Sequence, residues 1–292
     1  LRPEAAQGIF VNFANAVTTS RAKLPFGIAQ IGKAFRNEIT TGNFLFRSRE
    51  FEQMEMEFFV KPDETSEWLE YWSNSRLDWY KSLGVTEKKL KLRLHEDNEL
   101  AHYAAACFDV EYEFPFGWSE LEGIADRGSY DLDQHAQHSG KKLTWFDSKT
   151  NEHITPAVVE ASAGVDRTVL TILVDAYHEE EVKGEQRVVL KLNPKVAPIT
   201  VAVFPLVNRD GMPEIAEKII DDLKGDFAAF FDAGGSIGRR YRRQDEAGTP
   251  YGVTVDSDTL TDQTVTVRER DSMAQERVAM DQLSSYFRDK LR

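Results

Sequence analysis

The stretch FRNEITTGNFLFRSREFEQMEMEFF, residues 35 to 59, decides the fold. From Phe51 to Phe59 side chains alternate: Phe51, Gln53, Glu55, Glu57 and Phe59 share one face, while Glu52, Met54, Met56 and Phe58 share the other. A period of two sustained over this length is a strand and not a helix. Upstream, LPFGIAQIGKAFRNE carries Pro25 and Gly27 and then an apolar run into Arg36, a loop feeding a second strand. Gly42-Asn43, inside TTGNF, is the turn signal between them. The segment therefore reads as two antiparallel strands joined by a loop. Its charge pattern leaves two readings open. Arg36, Arg47 and Arg49 stand among Glu38, Glu50, Glu52, Glu55 and Glu57. That is either a solvated, salt-bridged hairpin or a surface that holds phosphates and an amine together.

Working outward, GIFVNFANAVT (8 to 18) reads as an amphipathic helix, and residues 63 to 83 as a helix with Trp68, Tyr71, Trp72 and Trp79 at helical spacing for core packing. LKLRLH alternates as a strand, LAHYAAACFDVEYEF passes from helix to strand, and GWSELEGIADRGSYDLDQHAQHSG reads as strand, loop and helix. KLTWFD and EHITPAVVEAS are strands, and GVDRTVLTILVDAYHEE is an amphipathic helix. Pro194 and Pro198 bracket a linker. Beyond Ile199 strands and helices alternate, with MAQERVAMDQLSSYFRDKL as the last helix, giving a compact α/β domain of about 90 residues. The expected division is residues 1–190, a linker at 191–198, and 199–292.

The 292 residues are 41% hydrophobic and 29% charged, enough to bury a core without resembling a membrane protein. No stretch reaches the roughly 20 apolar residues of a membrane helix. The opening LRPEAAQGIF has no charged n-region or apolar core, so no signal peptide is expected there. It lacks Met and opens inside a folded element, so a preceding segment is expected. A single cysteine, Cys107, excludes an internal disulfide or a Cys-rich zinc site and fits a reducing cytoplasm; in YAAACFDV it reads as a small buried hydrophobe. A net charge of −13 argues against nucleic acid binding over the whole surface. IGRRYRRQ (237 to 244) is a local exception, either an RNA-facing element with Tyr241 as a stacking residue or a solvated basic turn.

The common catalytic signatures GxxxxGK[ST], GxSxG, HExxH and CxxC are absent. His135 and His138 share a helix face without a third nearby ligand type, which favours a solvated face over a metal site. What stands out is charge in apolar surroundings: Arg36 after an apolar run, Glu55 among Phe51, Met54, Met56, Phe58 and Phe59, Glu160 and Ser162 after TPAVV, Asp166-Arg167 opening a helix, and Glu120, Glu122, Asp126 and Arg127 in one strand-like segment. Buried charge is costly unless paired. Arginines offer forked donors to phosphates, and clustered carboxylates suit an ammonium or a magnesium ion.

These residues carry a family resemblance. FRNE, a loop and RSREFEQMEMEFF resemble motif 2 of class II aminoacyl-tRNA synthetases, and GVDRTVL resembles motif 3. More narrowly, LRPEAAQGIFVNF, LPFGIAQIGKAFRNEI, GWSELEGIADRGSYDL and VVEASAGVDRTV resemble the glycyl-tRNA synthetases of the dimeric type. The segment from Ile199 is similar to the anticodon-binding domain that ends class IIa enzymes. The family has Thr where Ala5 stands, and motif 1 would precede Leu1.

The resemblance implies an α+β fold: an antiparallel sheet flanked by helices, followed by a C-terminal α/β anticodon-binding domain. It implies a homodimeric, cytoplasmic glycine–tRNA ligase using ATP and Mg2+ to charge tRNA(Gly). Carried over by position, Arg36 would grip the ATP α-phosphate. Phe51 would stack on adenine, with Arg167 on its other face and reaching the γ-phosphate. Arg47 would lie near the phosphates, and Glu38 at the adenine or the acceptor end. Glu55, Glu160 and Ser162 would surround the glycine ammonium, with Arg127 holding substrate or phosphates. Glu120 and Glu160 would contact magnesium, with Glu120 also at the ATP site. Arg239, Arg240, Tyr241 and Arg242 would face tRNA. Glu52 and Glu57 are expected to be structural or solvated. The two competing functions are a catalytically dead relative that keeps the fold and a synthetase for proline, threonine or histidine. The persistence of Arg36, Arg127, Arg167, Glu55 and Glu160 argues against the first, and LRPEAAQGIF and GWSELEGIADR against the second. No editing insert is expected, since an added methyl is rejected by clash.

Overall fold

The alternating run forms its strand, and its partner is the one expected. In the computed structural model, which describes residues 1–182 and 184–291, β1 (Phe26–Phe35) and β2 (Glu50–Val60) pair antiparallel, with Ala34 opposite Phe51 and Gln30 opposite Glu55. The turn signal also holds: Asn43 adopts a left-handed φ of 52°, which asparagine tolerates, and Gly42 and Arg47 exchange backbone hydrogen bonds across it. Gln53, Glu55, Glu57 and Phe59 are all buried, as one face of the pleat requires. The opposite face is covered by a helix: Phe58 packs on Trp68 and Trp72, with ring centroids 4.8 and 5.1 Å away.

Two compact units, Leu1–Thr171 and Ile172–Arg292, make up the described chain. The first centres on a six-stranded sheet of order β1-β2-β8-β5-β4-β3. Its further strands are β3 (Leu90–Leu94), β4 (Ala106–Phe114), β5 (Gly117–Gly128) and β8 (Ala157–Gly164), with a small hairpin of β6 (Trp145–Asp147) and β7 (Glu152–Ile154) beside it. Every pairing in the six-stranded sheet is antiparallel. Helix α1 (Ala6–Ser20) buries Ile9, Phe10 and Phe13 at helical spacing. These meet Phe59 and Val158 from the sheet and Leu132 from α3 (Tyr130–Ser139) in one apolar cluster. The aromatic helix is α2 (Thr65–Ser82), and α4 (Val165–Ala176) follows β8 directly. Residues 100–105, read as the start of a helix, form turns and irregular backbone instead.

The second unit contains a hairpin, β9 (Tyr177–Val182) with β10 (Glu185–Leu190), and a five-stranded mixed sheet of order β12-β11-β13-β14-β15. Its strands are β11 (Val201–Pro205), β12 (Ala229–Phe231), β13 (Tyr251–Val255), β14 (Thr264–Glu269) and β15 (Gln275–Ala279). The helices are α5 (Met212–Leu223), α6 (Ile237–Ala247), α7 (Thr259–Asp262) and α8 (Leu283–Lys290). β11, β12 and β13 run parallel, as the buried run VAVF implies, and the later strands are antiparallel. The last expected helix is shorter than its sequence pattern. Its first part pairs as β15 with β14, turning Val278 inward while Arg277 reaches Asp256 and Asp262.

IGRRYRRQ lies on α6, and its side chains divide. Arg240 is buried and donates to the carbonyls of Pro205, Ala233 and Gly235. Tyr241 packs edge-on against Phe204, bonds Thr254 through its hydroxyl at 2.7 Å, and lies under the Arg268 guanidinium. The expected RNA-stacking role of Tyr241, and with it that of Arg240, is therefore corrected: both serve the interior of this unit. Arg239 is exposed, and Arg242 is half-buried beside Asp245 and Glu185.

Gly252 on β13 shows how tightly this region is filled, because a Cβ there would lie 2.5 Å from the Tyr241 ring and 3.1 Å from Phe204. Both rings are pinned, so Gly252→Ala is expected to destabilise the C-terminal unit by about 1–3 kcal/mol. Urea unfolding followed by tyrosine fluorescence checks this; an unchanged midpoint would contradict the packing.

Candidate active site

The inner strands of the first sheet floor a cleft of about 360 Å³. Of the residues singled out from the sequence, Arg36, Glu38, Arg47, Phe51, Glu120, Glu160, Ser162 and Arg167 line it, while Glu55 and Arg127 lie buried around its edge.

One end is cationic. Arg36 leaves the end of β1, where its backbone N–H bonds Arg49 O, and its guanidinium lies 5.4 Å from the Phe51 ring centroid. Arg47, in the loop between the strands, is 3.7 Å from the Glu38 carboxylate. Arg167 stands in the first turn of α4, whose start is tied to β2 by a 2.7 Å hydrogen bond from Glu52 N–H to Asp166. Arg167 donates to Glu120 O at 2.8 Å and stacks on Phe46 at 4.3 Å. Its burial lowers its pKa, Glu120 opposes that, and neighbouring Arg47 and Arg36 reinforce it. Three guanidiniums close enough to repel are a site that an anion stabilises.

The other end is built from carboxylates. Glu55 accepts hydrogen bonds from Ala5 N–H at 2.6 Å, from Ser162 Oγ at 3.0 Å and from Gln53. The register explains the convergence, since Glu55 lies opposite Ser162, and Glu57 opposite Glu160, on the adjoining β8. Arg127 forks onto Asp131 at 2.7 and 2.9 Å and donates to Glu160. The Tyr103 ring covers it at 4.0 Å. Burial works against the Arg127 cation, but the bonds to Asp131 and the charge of Glu160 outweigh it and keep the guanidinium charged. Burial raises Glu55, with the Ser162 and Ala5 bonds opposing. Burial also raises Glu160, against the pull of Arg127. Glu57 goes further: it is fully buried, both its oxygens lack a hydrogen-bond partner, and burial with nearby Glu160 drives its pKa well above the usual carboxylate range. It is thus an interior group and not a solvated one, whereas Glu52 is exposed.

Residues 1–176 match the family described as tRNA synthetase class II core domain (G, H, P, S and T), and residues 200–290 match the anticodon binding domain. The chain belongs to the class II tRNA synthetases. It is similar to curated glycine–tRNA ligases: 57% identical over 292 residues to that of Caldanaerobacter subterraneus subsp. tengcongensis, 54% over 295 to that of Borreliella burgdorferi, and 53% over 299 to that of Thermobifida fusca. These alignments take in 100% of this chain and 63%, 66% and 65% of the respective relatives, so the chain spans less than two thirds of their length. The fold is also that of a prolyl-tRNA synthetase from Cryptosporidium parvum, whose structure holds L-proline and AMP, with a TM-score of 0.74 at 18% identity over 100% of this chain and 60% of that one.

Within this class II core, several residues escaped the sequence reading. Phe46 is a ring that Arg167 touches; Tyr103 and Asp131 fix Arg127; Gln53 bridges Glu55 and Ser162. Gln53 was legible as a member of the Phe51–Phe59 face; Asp131 is four residues past Arg127 but carries no pattern that marks it, and Tyr103 reaches the site through a tertiary contact with no local signal. The helix face of His135 and His138, expected to be solvated, is so only at His138: His138 is exposed, while His135 is half-buried and bonds Gln7 at 2.7 Å. The expected magnesium pair is divided. Glu120 keeps a half-exposed carboxylate at the cleft rim, suited to a hydrated cation shared with phosphates. Glu160 is bound by Arg127, so its place as a magnesium ligand is corrected to that of the arginine's partner.

Glu57 yields a pH prediction. Its folded pKa is raised, so the native state holds the proton more tightly than the unfolded chain, and this contribution is lost as pH climbs from the ordinary carboxylate value toward the raised one. Glu57→Gln has no such loss. The variant should gain stability over the native chain as pH rises from about 5 to about 8, and the gap should close toward about 4. Thermal unfolding across that range checks it; a gap independent of pH would contradict a protonated Glu57.

Proposed function

We propose that the chain carries the glycine-activating and anticodon-reading parts of a glycine–tRNA ligase. The observation that carries this is the polarity of the cleft, with three arginines at one end and, at the other, the hydrogen-bonded pair Glu55–Ser162 with Glu160, itself bound by Arg127, on the same strand as Ser162. Its similarity to curated glycine–tRNA ligases supports the amino acid. In this reading residues 1–190 are the catalytic domain, 191–198 a linker and 199–292 the anticodon-binding domain, and the enzyme acts as a cytoplasmic homodimer on ATP, glycine and tRNA(Gly).

The glycine carboxylate is itself the nucleophile. It attacks the ATP α-phosphorus, the bond to the β-phosphate bridging oxygen breaks, and glycyl-adenylate and pyrophosphate form. No enzyme nucleophile or general base is required. The protein must instead bring two anions together and hold them in line. Arg36 holds the α-phosphate, Arg47 and Arg167 the outer phosphates, Phe51 the adenine and Glu38 the adenine or acceptor end. Glu55, Ser162 and Glu160 hold the glycine ammonium, with Arg127 securing Glu160. Mg2+, when bound with ATP through Glu120, supplies further charge neutralisation on the phosphates. In the second step the terminal ribose hydroxyl of tRNA attacks the adenylate carbonyl and AMP leaves. Selection for glycine is by exclusion, because carboxylates crowded at the ammonium leave little room for a Cβ.

Arg36→Ala and Arg167→Ala are each expected to lower glycine-dependent ATP–pyrophosphate exchange in the full-length protein by on the order of 10²–10³-fold with the fold intact. Near-native exchange in either, or exchange stimulated best by another of the twenty amino acids, would overturn the assignment.

Arg239→Ala with Arg242→Ala should raise the KM for tRNA(Gly) in aminoacylation while leaving exchange unchanged. An unchanged KM would remove α6 from the RNA-facing surface.

A further inference from the structure

At the edge of the cleft remote from β2, three side chains that the proposed reaction does not use meet on one face of the sheet. His95 follows β3, and its N–H bonds Cys107 O at 2.9 Å, one step beyond the pairing of Leu94 with Phe108. Residues directly opposite across antiparallel strands share a face, and so do residues two apart on one strand. His95, Cys107 and Asp109 therefore project together. A donor atom from each lies within 4.8 Å of the other two, and His95 Nε2 is 2.7 Å from Asp109 Oδ2. Opposite them on β5 stand Gly123 and Ala125, so no side chain larger than a methyl covers the group from that strand. A Cβ at Gly123 would already come within 3.8 Å of Asp109 Oδ1. All three residues line the cleft.

We propose that His95, Cys107 and Asp109 form a site for one divalent transition-metal ion of the Zn2+ type, with a fourth coordination position open to the cleft. The donor set is one imidazole nitrogen, one sulfur and one carboxylate oxygen. Sulfur and imidazole select zinc and its neighbours over magnesium or calcium, which take oxygen ligands. Three protein ligands with one open position is the arrangement of zinc sites that keep an exchangeable water. Tetrahedral metal–ligand bonds of about 2.0–2.3 Å place neighbouring donors roughly 3.3–3.7 Å apart, so the ion would replace the 2.7 Å His95–Asp109 hydrogen bond by parting those two atoms, with small side-chain adjustments. Arg93 Nη2 lies 3.2 Å from Asp109 Oδ2 and is itself held by Glu99 and Glu111, which orients the carboxylate. Without a metal, burial, helped by Asp109 and Glu120, pushes the Cys107 thiol up to about 12. Binding must release that proton, so affinity rises with pH.

The test uses metal-stripped full-length protein titrated with Co2+ and then Zn2+, and does not depend on the glycine assignment. Expected are one equivalent bound per chain, a thiolate-to-cobalt charge-transfer band that Zn2+ abolishes, and protection of Cys107 from alkylation by iodoacetamide. His95→Gln and Asp109→Asn should each weaken binding at least tenfold, with circular dichroism showing the fold retained. Absence of the charge-transfer band, absence of stoichiometric binding, or native affinity in both variants would overturn the proposal. Glycine-dependent exchange, measured separately with Mg2+, reports on the proposed function, so failure of one leaves the other standing.

Discussion

The buried fork of Arg127 is the interaction on which the rest of the first unit depends. It is 3% exposed, and it joins Asp131 at the start of α3 to Glu160 in the middle of β8. Removing one partner of a buried pair leaves a charge with no solvent to stabilise it, at a cost of about 3–5 kcal/mol. The fork thus ties α3 to the sheet beside the apolar cluster of Phe10, Phe13, Phe59 and Leu132. It also sets the electrostatics of the amino-acid end. Glu55, Glu57 and Glu160 gather on neighbouring strands, and Arg127 is the cation that lets them do so. A substrate ammonium entering beside Glu55 and Ser162 would be the second such cation.

The opposite end applies the same logic with the sign reversed. Arg36, Arg47 and Arg167 come from three separate elements: a strand end, a loop and a helix start. Each finds only partial compensation, from Glu38, Glu120 or backbone carbonyls. Cations left under-paired within a cleft are stabilised by binding a polyanion, which is how the proposed phosphate site would turn electrostatic cost into affinity. The stacking rings reinforce it, since Phe51 and Phe46 each lie against a guanidinium.

How much of this was legible in the sequence follows from which signals are local. The period of two in β2 identified a strand and placed Glu55 and Phe51 on one face, because alternation is a property of a single strand. It could not tell whether Glu57 was wet. Only the partner strand and the helices beyond it decide that, and they leave it buried without a hydrogen bond. IGRRYRRQ shows the same limit from the other side. Four arginines around a tyrosine look solvent-facing in a string, yet on a helix packed against β11 one arginine and the tyrosine turn inward and find carbonyl and hydroxyl partners. β15 was lost because QERVA carries helix-favouring Glu and Ala, and pairing with β14 overrode that preference. His95 is separated by turns from Cys107 and Asp109 on β4, and only the β3–β4 register gathers the three.

Under the proposed function, the geometry of β2 accounts for how so small a substrate would be recognised. Phe51 and Glu55 stand two pleats apart on one face, roughly 13 Å along the strand. A single rigid element therefore fixes the separation between an aromatic ring suited to a base and a carboxylate suited to an amine. For the proposed substrate glycine, which has no side chain through which it could be pulled into register, the carboxylate would be placed by what holds the ammonium. Glu55 is in turn immobilised by Ala5 N–H, Ser162 and Gln53, with no freedom to swing toward a larger amino acid. Preorganisation of this kind costs burial of a carboxylate, visible in its raised pKa. It is tolerated because the same strand carries Phe59 into the apolar cluster at its other end, where hydrophobic burial offsets the polar strain.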